Sequence, residues 1–318
     1  MEAITLMVVL LALYVAWAIG SNNESVAPLA GCRFLSVRWS LLLGASTSLI
    51  GALLLGGRVE ETMGSLLLKG GVSLMDAVIV MGVVATSMAV ASISKKPISS
   101  THSAVGAIVG LGLLRGGLNG VDWKTLILVA TSWAVFPLLS LLLATALTLL
   151  FRGILQRRVR GLRDRIRVAH ASSIALLPLV TIISLSRGGN DVANATSLLS
   201  VLHGLDALVF RLLGGAGMAL GLALLGGRVV RAIGLDLIQL RPETALASQI
   251  SVALILLSGT LLGLPLSGTH ILIAALIGLG LAERKWINVK ALMEIFYAWI
   301  LVFAAAAGAA TFLAAFIY

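Results

Sequence analysis

The sequence predicts an all-α integral membrane protein. It should hold two inverted-topology repeats of about five transmembrane segments each, with re-entrant or broken helices near the midplane. Three observations predict this. The 318 residues are 59% hydrophobic and only 11% charged, whereas a soluble domain is about a quarter charged. Apolar runs able to cross about 30 Å of hydrocarbon recur along the whole chain. Polar motifs of the first half return in the second at a nearly constant offset.

The apolar runs lie at about 3–20, 40–57, 74–94, 98–114 and 125–151, then at about 169–186, 206–226, 245–263, 266–281 and 291–317. The first follows Glu2 with no basic leader and no small-residue cleavage site, so it reads as a retained helix and not a cleaved signal. The runs 98–114 and 266–281 are short and glycine-rich, which marks them as re-entrant or broken segments. Residues 1–151 form the first repeat and 169–318 the second. Between them 152–168 is an Arg-rich linker, part of "FRGILQRRVRGLRDRIR".

The net charge of +10 could suggest nucleic acid. The basic residues come instead in short bursts between apolar runs, as cytoplasmic loops do, so the partner is the lipid bilayer. With the linker in the cytoplasm, 17 Lys and Arg fall inside. Six fall outside: Arg58, Lys69, Arg115, Lys124, Arg187 and Arg211. Both termini are then extracytoplasmic, and the protein is a multi-pass component of the cell membrane. The single cysteine, Cys32, excludes an internal disulfide and a cysteine metal cluster and reads as an apolar filler.

Five crossings per half is an odd number, so the second half runs inverted. "GSNNESVA" at 20–27 answers "GGNDVANA" at 188–195. "GALLLGGRVEETMG" at 51–64 answers "GLALLGGRVVRAIG" at 221–234 with 8 of 14 positions identical. "PISSTHSAVGAIVGLG" at 97–112 answers "PLSGTHILIAALIGLG" at 265–280 with 8 of 16. The offsets are 168, 170 and 168. Inverted repeats bring equivalent segments together at the bilayer midplane, where rocking one unit exposes a shared site to each side in turn.

Two motif pairs carry the chemistry. Ser99, Ser100 and Thr101, with Ser267, Gly268 and Thr269, open short helices; hydroxyls cap such ends, and the free N–H groups attract anions. Asn22, Asn23, Asn190, Asp191 and Asn194 set amides and a carboxylate in an apolar setting. An intramembrane carboxylate marks a functional site, and Asp191 with amide oxygens suits a hard cation such as Na⁺, at Asn22, Asn190, Asp191 and Asn194. An anion and a cation that neutralise each other bind cooperatively, which is the basis of symport. His102 and His270 read as groups orienting the hydroxyls. The doubled Ser/His pattern and the lack of HExxH argue against an enzyme, and a passive anion channel is the alternative from another class.

"GGNDVANAT", "SSTHSAVGAIVGLGL" and "SGTHILIAALIGLGL", with "LLGGRV" at 54–59 and 224–229, resemble the inorganic phosphate transporter (PiT) family over nearly the whole chain. The resemblance implies inverted repeats with two hairpin-like segments, a central phosphate site, Na⁺ or H⁺ coupling and a homodimer. It makes Asn23, Ser99, Ser100, Thr101, Asp191, Ser267, Gly268 and Thr269 the phosphate contacts, with no cofactor beyond the coupling ion. The first repeat departs from the pattern: Asn23 stands where the family has Asp, and Val26 where it has the second Asn. Glu24 could supply a carboxylate only through a one-residue slip, and it is not counted among the site residues. The family also contains sulfate permeases, so sulfate is the alternative substrate.

Overall fold

The computed structural model describes residues 2–65, 71–203 and 206–318; Lys69, assigned above to the outer face, lies outside them. The described residues are helical nearly throughout, with one isolated antiparallel bridge, Ile238–Ile287. The first half comprises α1 (Glu2–Ser21), the short α2 (Ala27–Gly31), α3 (Val37–Ser65), α4 (Leu74–Ile93), α5 (Ser100–Gly116) and α6 (Trp123–Arg158). The second comprises α7 (Leu162–His203), α8 (Ala207–Leu225), α9 (Gly227–Arg231), a π-helical turn (Ala232–Leu237), α10 (Pro242–Leu261), α11 (Gly268–Glu283) and α12 (Val289–Ala315).

Seven described helices are long and apolar enough to cross a membrane: α3, α4, α6, α7, α8, α10 and α12. The sequence reading counts ten segments. Two of the difference are α5 and α11, whose 17 and 16 residues make them arms of hairpins. Arg115 at the end of α5 pairs with Asp76 at the start of α4 at 2.6 Å, closing the base of the first hairpin. Ser73 and Asp76 form a reciprocal cap at the same place. Residues 94–99 make the tip of this hairpin, and 262–267 the tip of the α10–α11 hairpin.

Two readings need correction. Arg187 follows an apolar run and so reads as a span end facing outward. Helix α7 instead continues unbroken through it, and Arg187 is buried, because its guanidinium finds carboxylates inside. The Arg-rich stretch is also less of a loop than expected: α6 reaches Arg158 and α7 starts at Leu162, so most of its arginines sit on helix ends.

The four most extensive helix contacts each join one half to the other. Helix α1 packs on α8, α3 on α7, α5 on α12 and α6 on α11. Glycine makes the first two crossings possible. A Cβ on Gly51 would lie 2.0 Å from the Leu185 carbonyl oxygen, and one on Gly188 2.0 Å from that of Ser48. At the other crossing the values are 2.1 Å from Gly20 to Met218 and 2.0 Å from Gly221 to Trp17. Close approach of this kind is how helices associate where lipid removes the hydrophobic drive. The positions correspond: Gly20 and Trp17 plus 168 give Gly188 and Leu185, and Gly51 and Ser48 plus 170 give Gly221 and Met218. Cys32, after α2, is a free thiol that burial and the nearby Glu243 push up to about 12, so it stays neutral and packs as the sequence suggests.

Candidate functional site: two hairpin tips and a buried ion cluster

The hairpin tips meet. Thr101 Oγ1 donates to the Leu266 carbonyl at 3.4 Å, and Thr269 Oγ1 donates to the Ile98 carbonyl at 3.4 Å. These are the same contact made from each half, because 101 and 98 plus 168 are 269 and 266. Ser99 and Ser267 cap α5 and α11, accepting from the amides of His102 and His270 at 3.3 and 3.4 Å. Each hydroxyl that accepts in this way still has its own proton to donate. All six tip positions, Ser99, Ser100, Thr101, Ser267, Gly268 and Thr269, are buried.

The two asparagines at corresponding positions of the motif pair, Asn22 and Asn190, hold the tips. Asn22 Nδ2 donates to the Lys96 carbonyl at 3.0 Å and to Ser92 Oγ at 3.3 Å, while Asn22 Oδ1 accepts from Ile98 N at 2.9 Å. Asn190 Nδ2 donates to the Leu264 carbonyl at 2.8 Å, and 264 is 96 plus 168. Asn22 therefore has each polar side-chain atom engaged by the first hairpin, whereas Asn190 Oδ1 is buried with no partner. Asn194 Nδ2 reaches Ser100 Oγ at 3.1 Å and Thr101 Oγ1 at 3.5 Å, and Asn194 Oδ1 is also unpartnered. Asn23 turns its Oδ1 back to Ser25 N at 2.9 Å and leaves its buried Nδ2 free.

Of the charged centre, sequence reasoning named Asp191 but missed the arginine that joins it to Glu24. Arg187 Nε donates to Asp191 Oδ2 at 2.8 Å, and Arg187 Nη1 donates to Glu24 Oε1 at 2.8 Å. All three side chains are at most 7% exposed. Arg187 lies against the first residue of α11: a Cβ on Gly268 would stand 2.3 Å from Arg187 Cδ and 2.4 Å from Nη1. Gly268 is therefore the space the guanidinium fills. The i, i+4 spacing of Arg187 and Asp191 was the available signal, since such residues face each other on a helix. The carboxylate of the first half comes from Glu24, and Asn23 does not supply the contact.

His102 and His270 stack in a row with two tryptophans. The ring centroids are 3.6 Å apart for Trp133–His102, 4.4 Å for His102–His270 and 3.7 Å for His270–Trp299. His102 Nδ1 and His270 Nε2 have no hydrogen-bond partner. Trp299 Nε1 donates to the Pro97 carbonyl at 3.2 Å, bracing the first tip. Among the described residues no cluster of three His, Cys, Asp or Glu could hold a metal ion.

The site thus presents free buried acceptors (Glu24 Oε2, Asn190 Oδ1, Asn194 Oδ1) beside hydroxyls and two helix N-termini. It has the means to hold an anion and a cation side by side. Residues 18–310 match the model of the phosphate transporter family. A Helicobacter pylori protein named "Putative phosphate permease" is 26% identical over a 361-position alignment covering 86% of this chain and 67% of that protein. The chloroplastic inorganic phosphate transporter 2-1 of Arabidopsis thaliana is 24% identical over 399 positions, covering 90% of this chain and 68% of that protein. A solved structure described as the sodium-dependent phosphate transporter has the same fold, with a TM-score of 0.84 at 23% identity over 97% of each chain.

Proposed function

This chain belongs to the phosphate transporter family, whose members are transporters and not enzymes, and we propose that it is a secondary active symporter carrying inorganic phosphate across the cell membrane with a cation. The observation that carries this reading is the meeting of the two hairpin tips beside a buried, unequal set of charges.

In this reading phosphate sits between the tips. Ser99, Ser100 and Ser267 direct hydroxyl protons at its oxygens, Thr101 and Thr269, whose protons go to the facing carbonyls, hold the two tips around it, the amides opening α5 and α11 add partial positive charge, and Asn23 Nδ2 supplies a further donor. Asp191, Glu24, Asn190 and Asn194 offer oxygen ligands to the cation. Asn22, fully engaged by the hairpin, positions the tip and does not ligate. Anion and cation neutralise each other in a medium where either alone is costly, so each raises the other's affinity. Sodium is the first coupling ion to test, since the neighbouring structure is described as sodium-dependent. Related halves of opposite orientation would let one rock against the other, opening the site to each face in turn.

Counterflow of ³²P-phosphate and ³⁵S-sulfate in proteoliposomes, under sodium and proton gradients, tests this. Phosphate uptake driven by one of the gradients is expected. Sulfate outcompeting phosphate at neutral pH would replace the substrate, and flux with no reversal-potential shift under either gradient would make the protein a channel. The same reading gives a homodimer with extracytoplasmic termini. Light scattering in detergent and protease access to tagged termini in intact cells check these, and a monomer or protected termini would refute them.

A further inference from the structure

The described residues bury four carboxylates: Glu24, Glu60, Asp76 and Asp191. Two have an arginine each: Glu60 accepts from Arg211 Nε at 2.7 Å, and Asp76 pairs with Arg115 at 2.6 Å. Glu24 and Asp191 share Arg187. With both carboxylates ionised, the shared cluster has two negative charges and one positive, a formal net charge of minus one where the hairpin tips meet. Arg187 also breaks the relation between the halves. Its counterpart 168 positions earlier is Ile19, and the counterpart of Gly268 is Ser100. The second half thus has an arginine and a glycine where the first has an isoleucine and a serine, and the glycine provides the space that the guanidinium occupies.

We propose that Arg187 is a tethered cation that takes the place of one mobile coupling ion, so that one external monovalent cation, not two, completes the site before the anion binds. The physical ground is neutrality. A buried carboxylate without a counter-charge is unfavourable by several kcal/mol, and a site holding two needs two positive charges. A guanidinium already bonded to both supplies the first. It cannot leave with the substrate, so the transported charge falls by one per anion. The role rests on the symport reading above and makes Arg187 a residue that sets stoichiometry.

The test is equilibrium binding of ³²P-phosphate to the purified full-length protein in nanodiscs. Apparent affinity is read against sodium concentration at fixed pH, and against pH at fixed sodium. The two logarithmic slopes together count the cations taken up per anion. Differences between variants cancel the titration of phosphate itself. In the wild type, a tenfold dilution of the coupling cation should weaken phosphate about tenfold, and in Arg187→Gln about a hundredfold, a rise of one in the summed slope. Arg187→Lys keeps the charge and should keep the wild-type slope. Glu24→Gln/Arg187→Gln restores the net charge of minus one without the ion pair and should return the slope to the wild-type value; it is also the informative variant if Arg187→Gln alone fails to fold. An unchanged slope in Arg187→Gln, or a raised slope in Arg187→Lys or the double variant, overturns the proposal while leaving phosphate symport standing. Absence of both phosphate and sulfate binding in the wild type sinks the symport reading, and the proposal with it.

Discussion

Placing a methyl group at the α3–α7 crossing should separate the two helices. A Cβ on Gly188 would begin 2.0 Å from the Ser48 carbonyl oxygen, and Cβ contacts under 3.0 Å are essentially never observed. The obstacle is backbone inside a long helix, so no side chain can swing aside. The helices must part by about 1 Å, with an overpacking cost of about 1–3 kcal/mol. Alanine's better helix propensity returns up to about 1 kcal/mol. Gly188→Ala should therefore lose roughly 1–2 kcal/mol net. Gly51→Ala, 2.0 Å from Leu185 O at the same crossing, should lose a similar amount. The double variant should lose less than the sum by at least about 0.5 kcal/mol, because the second methyl enters a gap the first has opened. Gly82→Ala and Gly308→Ala, with nothing within 4 Å, should be neutral or stabilising. Unfolding in mixed micelles, followed by tryptophan fluorescence, measures all of these. Uptake adds a second reading: Asn190 and Asp191 ride on the same helix, and a displacement of about 1 Å at a binding constellation can cost roughly a hundredfold in rate. If Gly188→Ala proved as stable as Gly308→Ala, or if the two crossing variants were strictly additive, the close-packing account would be wrong.

Two further outcomes follow from the buried charges. Asp191→Asn leaves Glu24 and Arg187 as a matched pair, so the protein should melt near the wild-type temperature while cation-driven phosphate uptake disappears; uptake that kept its cation dependence would remove Asp191 from the site. Arg211→Met strands the buried Glu60, which also accepts from Thr196, and should cost about 3–5 kcal/mol in micelle unfolding; Glu60→Gln/Arg211→Met should recover most of that, and a stable single variant would refute the pairing.

Most parts of the site legible in the sequence belong to a motif that occurs twice. The Ser/Thr clusters at 99–101 and 267–269 are brought together, and Asn190, Asp191 and Asn194 are buried beside them. Repetition at one offset gave the Ser/Thr clusters and Asn190 a signal beyond composition, while Asp191 and Asn194, opposite Asn23 and Val26, stood out as polar groups in an apolar run. Arg187 occurs once and looked ordinary in isolation, and Glu24 stood out only as a carboxylate one residue out of register. An arginine after an apolar run has the form of a span end, and only the interior partner, far away in sequence, shows otherwise. The carboxylate that reaches Arg187 from the first half is that of Glu24, while Asn23 accepts from Ser25 N. The short length and glycine content of 98–114 and 266–281 marked them in the sequence as re-entrant or broken segments, and α5 and α11, with 17 and 16 residues, are hairpin arms. The partition at 152–168 describes the order of the chain but not its packing, in which helices of both halves alternate.

That alternation bears on how the molecule is made. Glu24 leaves the ribosome 163 residues ahead of Arg187, and α1 and α3 precede α8 and α7, the helices that hold them closest. The early helices therefore lack their closest partners, and Glu24 its arginine, until α7 and α8 have entered the bilayer. A chain stalled before α7 would present degradation machinery with a distinctive nascent species, hydrophobic yet unable to close.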